Sequence, residues 1–361
     1  MPVMWLIGII LIYLAVKRDM EPMLLLPIGI GCILVNMPFS NVITQDADGP
    51  AGILTWLFEV GIEASEAMPI LLFIGIGAMI DFGPLISNPK LMLLGGFAQM
   101  GIFITILLAL STGQFGLNDA ASIGIIGAAD GPTSILVANA LKSGYLPQIV
   151  VVAYSYMALV PIIQPPVIKL FTTKKQRLIR MDDEKVKPVP KVVKILFPIA
   201  VILISGIIAP KSLALIGFLM FGNLIKECGV LDQLSKTAQQ ELVNLITLLL
   251  GITIASTMRY TQFLDIKTLL IIGLGLAAFV FDTIGGILFA DVMNLFLKKK
   301  INPMIGAAGI SAFPMSARIV HKMGRKEDPT NFLLMHAVGV NVSGQVASAI
   351  VGGLIIAFVL A

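Results

Sequence analysis

Long apolar runs recur along the whole chain, at about 3–16, 23–39, 68–86, 91–112, 121–141 and 147–170. They return at about 192–208, 212–230, 242–257, 268–297, 301–320 and 332–360. A spanning helix needs about 20 mainly apolar residues, so this succession matches a bilayer rather than a single aqueous core. Composition agrees, with 57% hydrophobic residues, 13% charged and a mean hydropathy of +0.96, against about a quarter charged in soluble domains. The expected fold is an all-α polytopic membrane protein. A net charge of +4 and a pI near 9.0 would suggest nucleic acid for a soluble chain. Here the bases lie between apolar runs, so topology accounts for them and no nucleic-acid partner is expected. Cys32 and Cys228 sit in apolar runs without metal-ligand spacing. The first run is followed by Lys17 and Arg18 with no small-residue cleavage site, which marks a retained span rather than a signal peptide.

One segment divides the runs into halves. Between 169 and 194 stand Lys169, Lys174, Lys175, Arg177, Arg180, Lys185, Lys187, Lys191 and Lys194, opposed by Asp182, Asp183 and Glu184. The positive-inside rule makes this segment cytoplasmic. It separates a first membrane repeat, 1–170, from a second, 192–361, with 171–191 as the basic loop. The halves share landmarks in order: PIGIG (27–31) answers GFLMFGN (217–223), Gly75 and Gly77 answer Gly251, and GAAD (127–130) answers GAAG (306–309). If the fifth run of each half is broken or re-entrant, each half crosses an odd number of times and the repeats are inverted; if it crosses fully, they are parallel. Inversion is the expectation, because paired interrupted segments near the midplane mark a two-sided transport site.

The stretch 122–141, SIGIIGAADGPTSILVANAL, places Asp130 inside an apolar run. An acid at the bilayer centre costs roughly 3 kcal/mol on insertion scales, so it normally faces a cation, a partner or a water-filled cavity. Gly127, Gly131 and Pro132 interrupt the helix around it, and freed carbonyls beside a carboxylate form a hard oxygen cage for a small cation. The plainer alternative is a buried aspartate that caps a half-helix. The partner element is expected between Ile301 and Arg318, INPMIGAAGISAFPMSAR, where Asn302, Ser311 and Ser316 offer neutral oxygens and Gly306, Gly309 and Pro314 interrupt the run. One carboxylate with neutral oxygens suits a monovalent ion, since calcium and magnesium sites carry several carboxylates. Sodium fits, with a proton as competitor. In the last run Asn341, Ser343 and Gln345 stand among small residues, either as helix-packing groups or, for Asn341, as a completion of the cage. Tyr154 and Tyr156 follow Asp130 as belt residues or proton relays, and Arg318 alone reads as an interfacial snorkelling arginine.

GAADGPT (127–133), YSYMALVPIIQPP (154–166), KINPMIGAAGISAFPMSAR (300–318) and NFLLMHAVGVNVSG (331–344) closely resemble the integral membrane beta subunit of the sodium-pumping, biotin-dependent decarboxylases. The resemblance runs over essentially the whole chain. It implies a subunit that decarboxylates carboxybiotin with a periplasmic proton and drives Na+ outward. It further implies a prokaryotic inner membrane, a biotin carrier protein, a carboxyltransferase alpha subunit and small membrane subunits as partners, and leaves a homo-oligomer open. By the same resemblance Asp130, Asn302 and Asn341 are sodium ligands, with Gly306 and Ser311 at the ion pathway. Tyr156 and Arg318 join Asp130 and Ser311 in coupling and chemistry, and Arg318 handles carboxybiotin. The chain departs from the oxaloacetate members in lacking a long polar insert between early spans and in reading VGVNVSGQVAS at 338–348. Both features look more like the glutaconyl-CoA or methylmalonyl-CoA types. The basic loop and Lys298–Lys300 either steer the anionic carrier or merely set topology.

A secondary sodium/proton antiporter or sodium-coupled anion transporter would need the same broken elements; dependence on biotin separates it from a pump subunit. No phosphate-binding loop, metalloprotease signature or Ser-His-Asp arrangement is present. His321 lies in a basic stretch, and His336 reads as packed or interfacial. Asp282, in FVFDTIGG, is a second intramembrane acid, expected to be structural through Arg259 or Lys267, or to border an access path.

Overall fold

A computed structural model describes residues 1–18, 22–44, 52–64, 66–181, 189–263 and 265–361. The acids 182–184, Lys185 and Lys187 of the basic loop lie outside the described residues. In the first half the helices are α1 (Pro2–Arg18), α2 (Pro22–Val35), α3 (Ile53–Phe58), α4 (Ala67–Met79), α5 (Gly83–Ser87), α6 (Leu91–Phe97), α7 (Met100–Ser111), α8 (Leu117–Gly124), α9 (Gly131–Ala140) and α10 (Leu146–Phe171). After the short α11 (Lys174–Arg177) come α12 (Lys191–Ile208), α13 (Leu213–Cys228), α14 (Asp232–Thr237), α15 (Val243–Ala255), α16 (Tyr260–Phe263), α17 (Ile266–Phe296), α18 (Met304–Ala307), α19 (Met315–Glu327) and α20 (Leu334–Leu360). No strand occurs among the described residues. Among the described residues, six helices or continuous helix pairs are long and apolar enough to cross a membrane, or seven if the helices Ile53–Glu63 and Ala67–Met79 count together as one span.

Packing repeats when the halves are exchanged. α1 lies on α2 as α12 lies on α13; α2 lies on α15 as α13 lies on α4; α10 lies on α17 as α20 lies on α6. The glycine landmarks explain the closeness of these crossings, because small residues let backbones approach where lipid provides no hydrophobic drive. A Cβ on Gly77 would strike the Leu219 carbonyl, and one on Gly222 the Ile74 carbonyl, so α4 and α13 touch backbone to backbone. A Cβ on Gly251 would stand 2.8 Å from Pro27 Cβ and 3.3 Å from the Leu24 carbonyl. Motifs that looked equivalent in sequence therefore face across the halves: PIGIG meets Gly251, and GFLMFGN meets Gly77, while Gly75 packs on Val243 and the Ala238 carbonyl.

Two interrupted segments run beside α17. The first is α8, one 3₁₀ turn at Ile125–Ala128, and α9. Its ends meet: Asn118 Nδ2 donates to the Leu141 carbonyl at 3.1 Å, and Ser143 Oγ donates to Asp119 Oδ1 at 2.7 Å. Nearby, Lys267 at the start of α17 stands 5.8 Å from the Tyr145 ring. The second segment holds only one helical turn, α18, before irregular chain from 308 to 314 and then α19; the apolar run at 301–320 is not one helix. Its ends are tied to one place as well. Asn302 Nδ2 donates to the Arg177 and Ile179 carbonyls, each at 2.9 Å, while Arg177 pairs with Glu327 at 2.8 Å and Arg180 with Asp328 at 2.6 Å. That place is the other end of α17, where Asn294 holds the Ile301 carbonyl at 2.9 Å and Gln176 bonds Asp291 at 2.8 Å. With 31 residues α17 is roughly 46 Å long. Halfway along it the two interrupted segments make their closest approaches, Gly127 against Asp282 and Gly306 against Gly286.

Asp282 pairs with neither Arg259 nor Lys267. Its Oδ1 accepts the Gly101 N–H at 2.6 Å, where α7 begins after the short turn that follows α6, and its Oδ2 has no hydrogen-bond partner.

Candidate ion site

The interruption at Asp130 has a local cause. Ala129 takes a left-handed backbone (φ +53°), Asp130 turns extended, and Gly131-Pro132 opens α9, with proline in the first turn where its missing N–H costs nothing. Asp130 is thus the N-cap residue of a half-helix, as the plainer reading had it, yet its carboxylate is not spent on the helix. Oδ2 accepts from Thr133 Oγ1, from Gln345 Nε2 at 3.2 Å and from Ser348 Oγ at 3.4 Å. None of these bonds goes to Oδ1. The side chain is 3% exposed and borders a cavity of about 170 Å³.

That cavity is also lined by Ser311, Tyr154, Gln345, Phe313 and Pro314. Its outer lining includes Met23 and Leu24 at the start of α2 and Met79 at the end of α4. Those ends lie on the side of the basic segment: the Ile80 carbonyl accepts from Lys226, Asp81 pairs with Lys194, and the opposite end of α2 is fixed by Asn36 to the Met258 carbonyl near the start of α17. The cavity therefore runs from Asp130 toward the lysine-rich end.

The two interruptions touch. The Ser311 N–H donates to the Ala128 carbonyl at 3.0 Å, and Ser311 Oγ donates to the Gly344 carbonyl at 2.9 Å. α20 supplies a polar row on one face, Asn341, Gln345 and Ser348, at the i, i+4, i+7 spacing of a helix. Asn341 Nδ2 donates to the Ala308 carbonyl at 3.0 Å and the Ile310 carbonyl at 2.7 Å, and its buried Oδ1 is without a hydrogen-bond partner. Gln164, from the QPP of α10, braces the same segment by donating to the Ala307 carbonyl and to Ser316, both at 2.7 Å.

Asp130 and Ser311 thus stand at one cavity, and Asn341 lies one helical turn from Gln345 behind it. Asn302 and Gly306 do not reach that cavity: Asn302 is bonded to the basic segment, and Gly306 packs on the Gly286 backbone. Tyr156 turns away, its hydroxyl donating to the Ile272 carbonyl at 2.5 Å, and Arg318 is exposed on the first turns of α19. Tyr154 takes the place beside the acid, its ring packed over Gly131 and its hydroxyl buried with no hydrogen-bond partner. Thr133 and Ser348 were not singled out in sequence. Thr133 sits three residues from the acid, the ordinary capping distance; Ser348, among small residues, carries no signal of its own.

A buried carboxylate whose side-chain hydrogen bonds gather on one oxygen, beside a cavity where two helix interruptions meet, places the chain among membrane transporters and pumps. The family model for the Na+-transporting oxaloacetate decarboxylase beta subunit matches residues 1–359. The chain is 45% identical to the methylmalonyl-CoA decarboxylase subunit beta of Propionigenium modestum, over 98% of this chain and 93% of that one. It is 46% identical to the glutaconyl-CoA decarboxylase subunit beta of Acidaminococcus fermentans (99% and 92%) and 41% identical to the oxaloacetate decarboxylase beta chain of Klebsiella pneumoniae (99% and 95%). The chain belongs to the beta-subunit family of the Na+-transporting decarboxylases. The alignment with the Klebsiella chain spans 414 positions against the 361 residues here, so that relative carries added residues, as expected of the oxaloacetate members.

Proposed function

We propose that this chain decarboxylates carboxybiotin, carried by a biotin carrier protein and loaded by a carboxyltransferase alpha subunit, and couples that step to Na+ export across a prokaryotic inner membrane. Small membrane subunits complete the complex, and the beta subunit itself is open to homo-oligomerisation. The observation that carries this reading is the placing of Asp130, whose bonds from the Thr133, Gln345 and Ser348 side chains converge on Oδ2 beside a cavity that leads to the basic end, where an ion can reach the carboxylate. Ser311 and Asn341 add neutral oxygens, and Asn302 and Gly306 mark the limb along which the ion moves between the basic segment and Asp130. Tyr156 and Arg318 serve coupling, with Arg318 exposed where an anionic carboxybiotin can reach it.

The two interrupted segments are re-entrant hairpins of an inverted repeat. The meeting of each segment's ends supports this, as do their bases at opposite ends of α17 and the packing that survives exchange of the halves. Described cations follow the same sense: Lys142, Lys211, Arg259 and Lys267 sit at the end opposite the basic loop, and the lysine-rich end is cytoplasmic. Sodium and a proton compete for the site, since only exchange turns proton consumption into outward Na+ movement. Moving one charge against the membrane potential needs roughly 2.3 kcal/mol per 100 mV, within reach of a decarboxylation.

The test is the assembled complex in vesicles, with radioactive sodium followed after substrate addition, for wild type and Asp130→Asn. The amide keeps an acceptor for Thr133, Gln345 and Ser348 and removes the charge. Avidin-sensitive uptake in the wild type and its loss in the variant are expected. Sodium-driven turnover that persists in Asp130→Asn contradicts the site, and uptake indifferent to avidin contradicts the pump.

A further inference from the structure

A second cavity, of about 550 Å³, opens where α17 ends. Lys90, Lys298, Lys299 and Lys300 line it against an aliphatic wall that includes Leu91, Met293 and Leu297, and no carboxylate among the described residues does so. Its rim stands at the edge of the bilayer. Leu295 and Phe296, the last two residues of α17, are 79% and 84% exposed, an apolar pair that belongs against acyl chains. The volume lies in the range of organic-ligand pockets, roughly 300–1,000 Å³, and far exceeds that of one inorganic ion. Positive-inside topology accounts for lysines on this face, but it demands neither a recess between helices nor an aliphatic wall inside it.

We propose that this recess binds the headgroup of an anionic phospholipid from the leaflet on the basic side. Phosphate oxygens meet the ammonium groups, and the glycerol and first methylenes lie along Leu91, Met293 and Leu297. Basic recesses between membrane helices on the cytoplasmic side suit such headgroups. The lipid is linked to the second interruption through few contacts: the Leu91 carbonyl accepts from Ser343 Oγ at 3.2 Å, and the adjoining Gly344 carbonyl accepts from Ser311. The inference does not rest on the pumping reading, because binding is measured without turnover.

The purified complex is titrated with phosphatidylglycerol, cardiolipin and phosphatidylcholine, and retained lipid is counted by native mass spectrometry. Inorganic phosphate serves as the headgroup without a tail. Lys298→Gln/Lys300→Gln is compared with Lys174→Gln/Lys175→Gln, which removes equal charge from the same side outside the recess. Saturable retention of the anionic lipids is expected, weakened about 25-fold by the first pair, at roughly fivefold per lysine, and little changed by the second. Equal retention of phosphatidylcholine, equal loss in both double variants, or displacement of lipid by phosphate at comparable concentration overturns the proposal. So does saturable binding of an acidic carrier domain at the recess with no anionic lipid retained.

Discussion

Asn341 offers the sharpest test of how the second interruption is held. Its amide nitrogen is the side-chain donor for two carbonyls, Ala308 and Ile310, in a stretch that has no helix to satisfy them. Asn341→Ala leaves both without that donor in a buried setting, at about 1–3 kcal/mol each. It also deletes the buried Oδ1, which has no hydrogen-bond partner, and so removes one comparable penalty. The balance is one such penalty, about 1–3 kcal/mol, or a five- to 150-fold change in the population of the intact interruption. Because Ser311 on that stretch reaches both the Ala128 carbonyl and the Asp130 cavity, the loss should appear as weaker sodium activation. The predicted outcome is a half-saturating Na+ concentration for decarboxylation raised about tenfold, corresponding to about 1.4 kcal/mol, with faster heat inactivation of the complex. A half-saturating concentration within twofold of wild type, with unchanged heat inactivation, would refute the reasoning.

Gly131→Ala should cripple the site, since the new Cβ would stand 2.6 Å from Tyr154 Cε1 and closer still to neighbouring ring atoms. Adding Tyr154→Ala should recover part of the lost heat resistance, with a coupling of about 0.5–3 kcal/mol between the two changes; strictly additive effects would show that the ring is not the obstacle. Asp328 accepts from the Thr330 hydroxyl and N–H and pairs with Arg180, which together hold its carboxyl down at about 2 from an ordinary 3.8. A folded value below the unfolded one means its stabilisation is present above about pH 4 and disappears as pH falls through about 2. Asp328→Asn should flatten the acid dependence of heat inactivation over that window, and an unchanged acid limb would count against it.

Much of this architecture was legible in the chain. The apolar runs foretold the helices, and Asp130 with Gly131 and Pro132 foretold a half-helix opened by an acid, because the cost of a charge in lipid and the geometry of proline are local. What escaped was set by tertiary direction. Tyr154 and Tyr156 are two residues apart on α10 and so face about 200° apart, one toward Asp130 and the other toward the Ile272 carbonyl. Asn302 reads in sequence as an oxygen donor like Ser311, but its partners are carbonyls of a segment more than a hundred residues away. Asp282 shows the same limit, since its partner is a backbone N–H on α7 and no pattern of side chains announces it. The row Asn341, Gln345, Ser348 was readable at helical spacing, although only the first two of its members stand out in the apolar run.

The bond from the Ser311 N–H to the Ala128 carbonyl works as a latch between the two interruptions. Sliding one interruption past the other by about 2 Å takes donor and acceptor out of range and strands both in a dry interior, a toll of about 1–3 kcal/mol for each group left bare. Any motion of the two interruptions must either carry both turns together as one rigid bead, or provide water or an ion to each of them at the instant the latch opens.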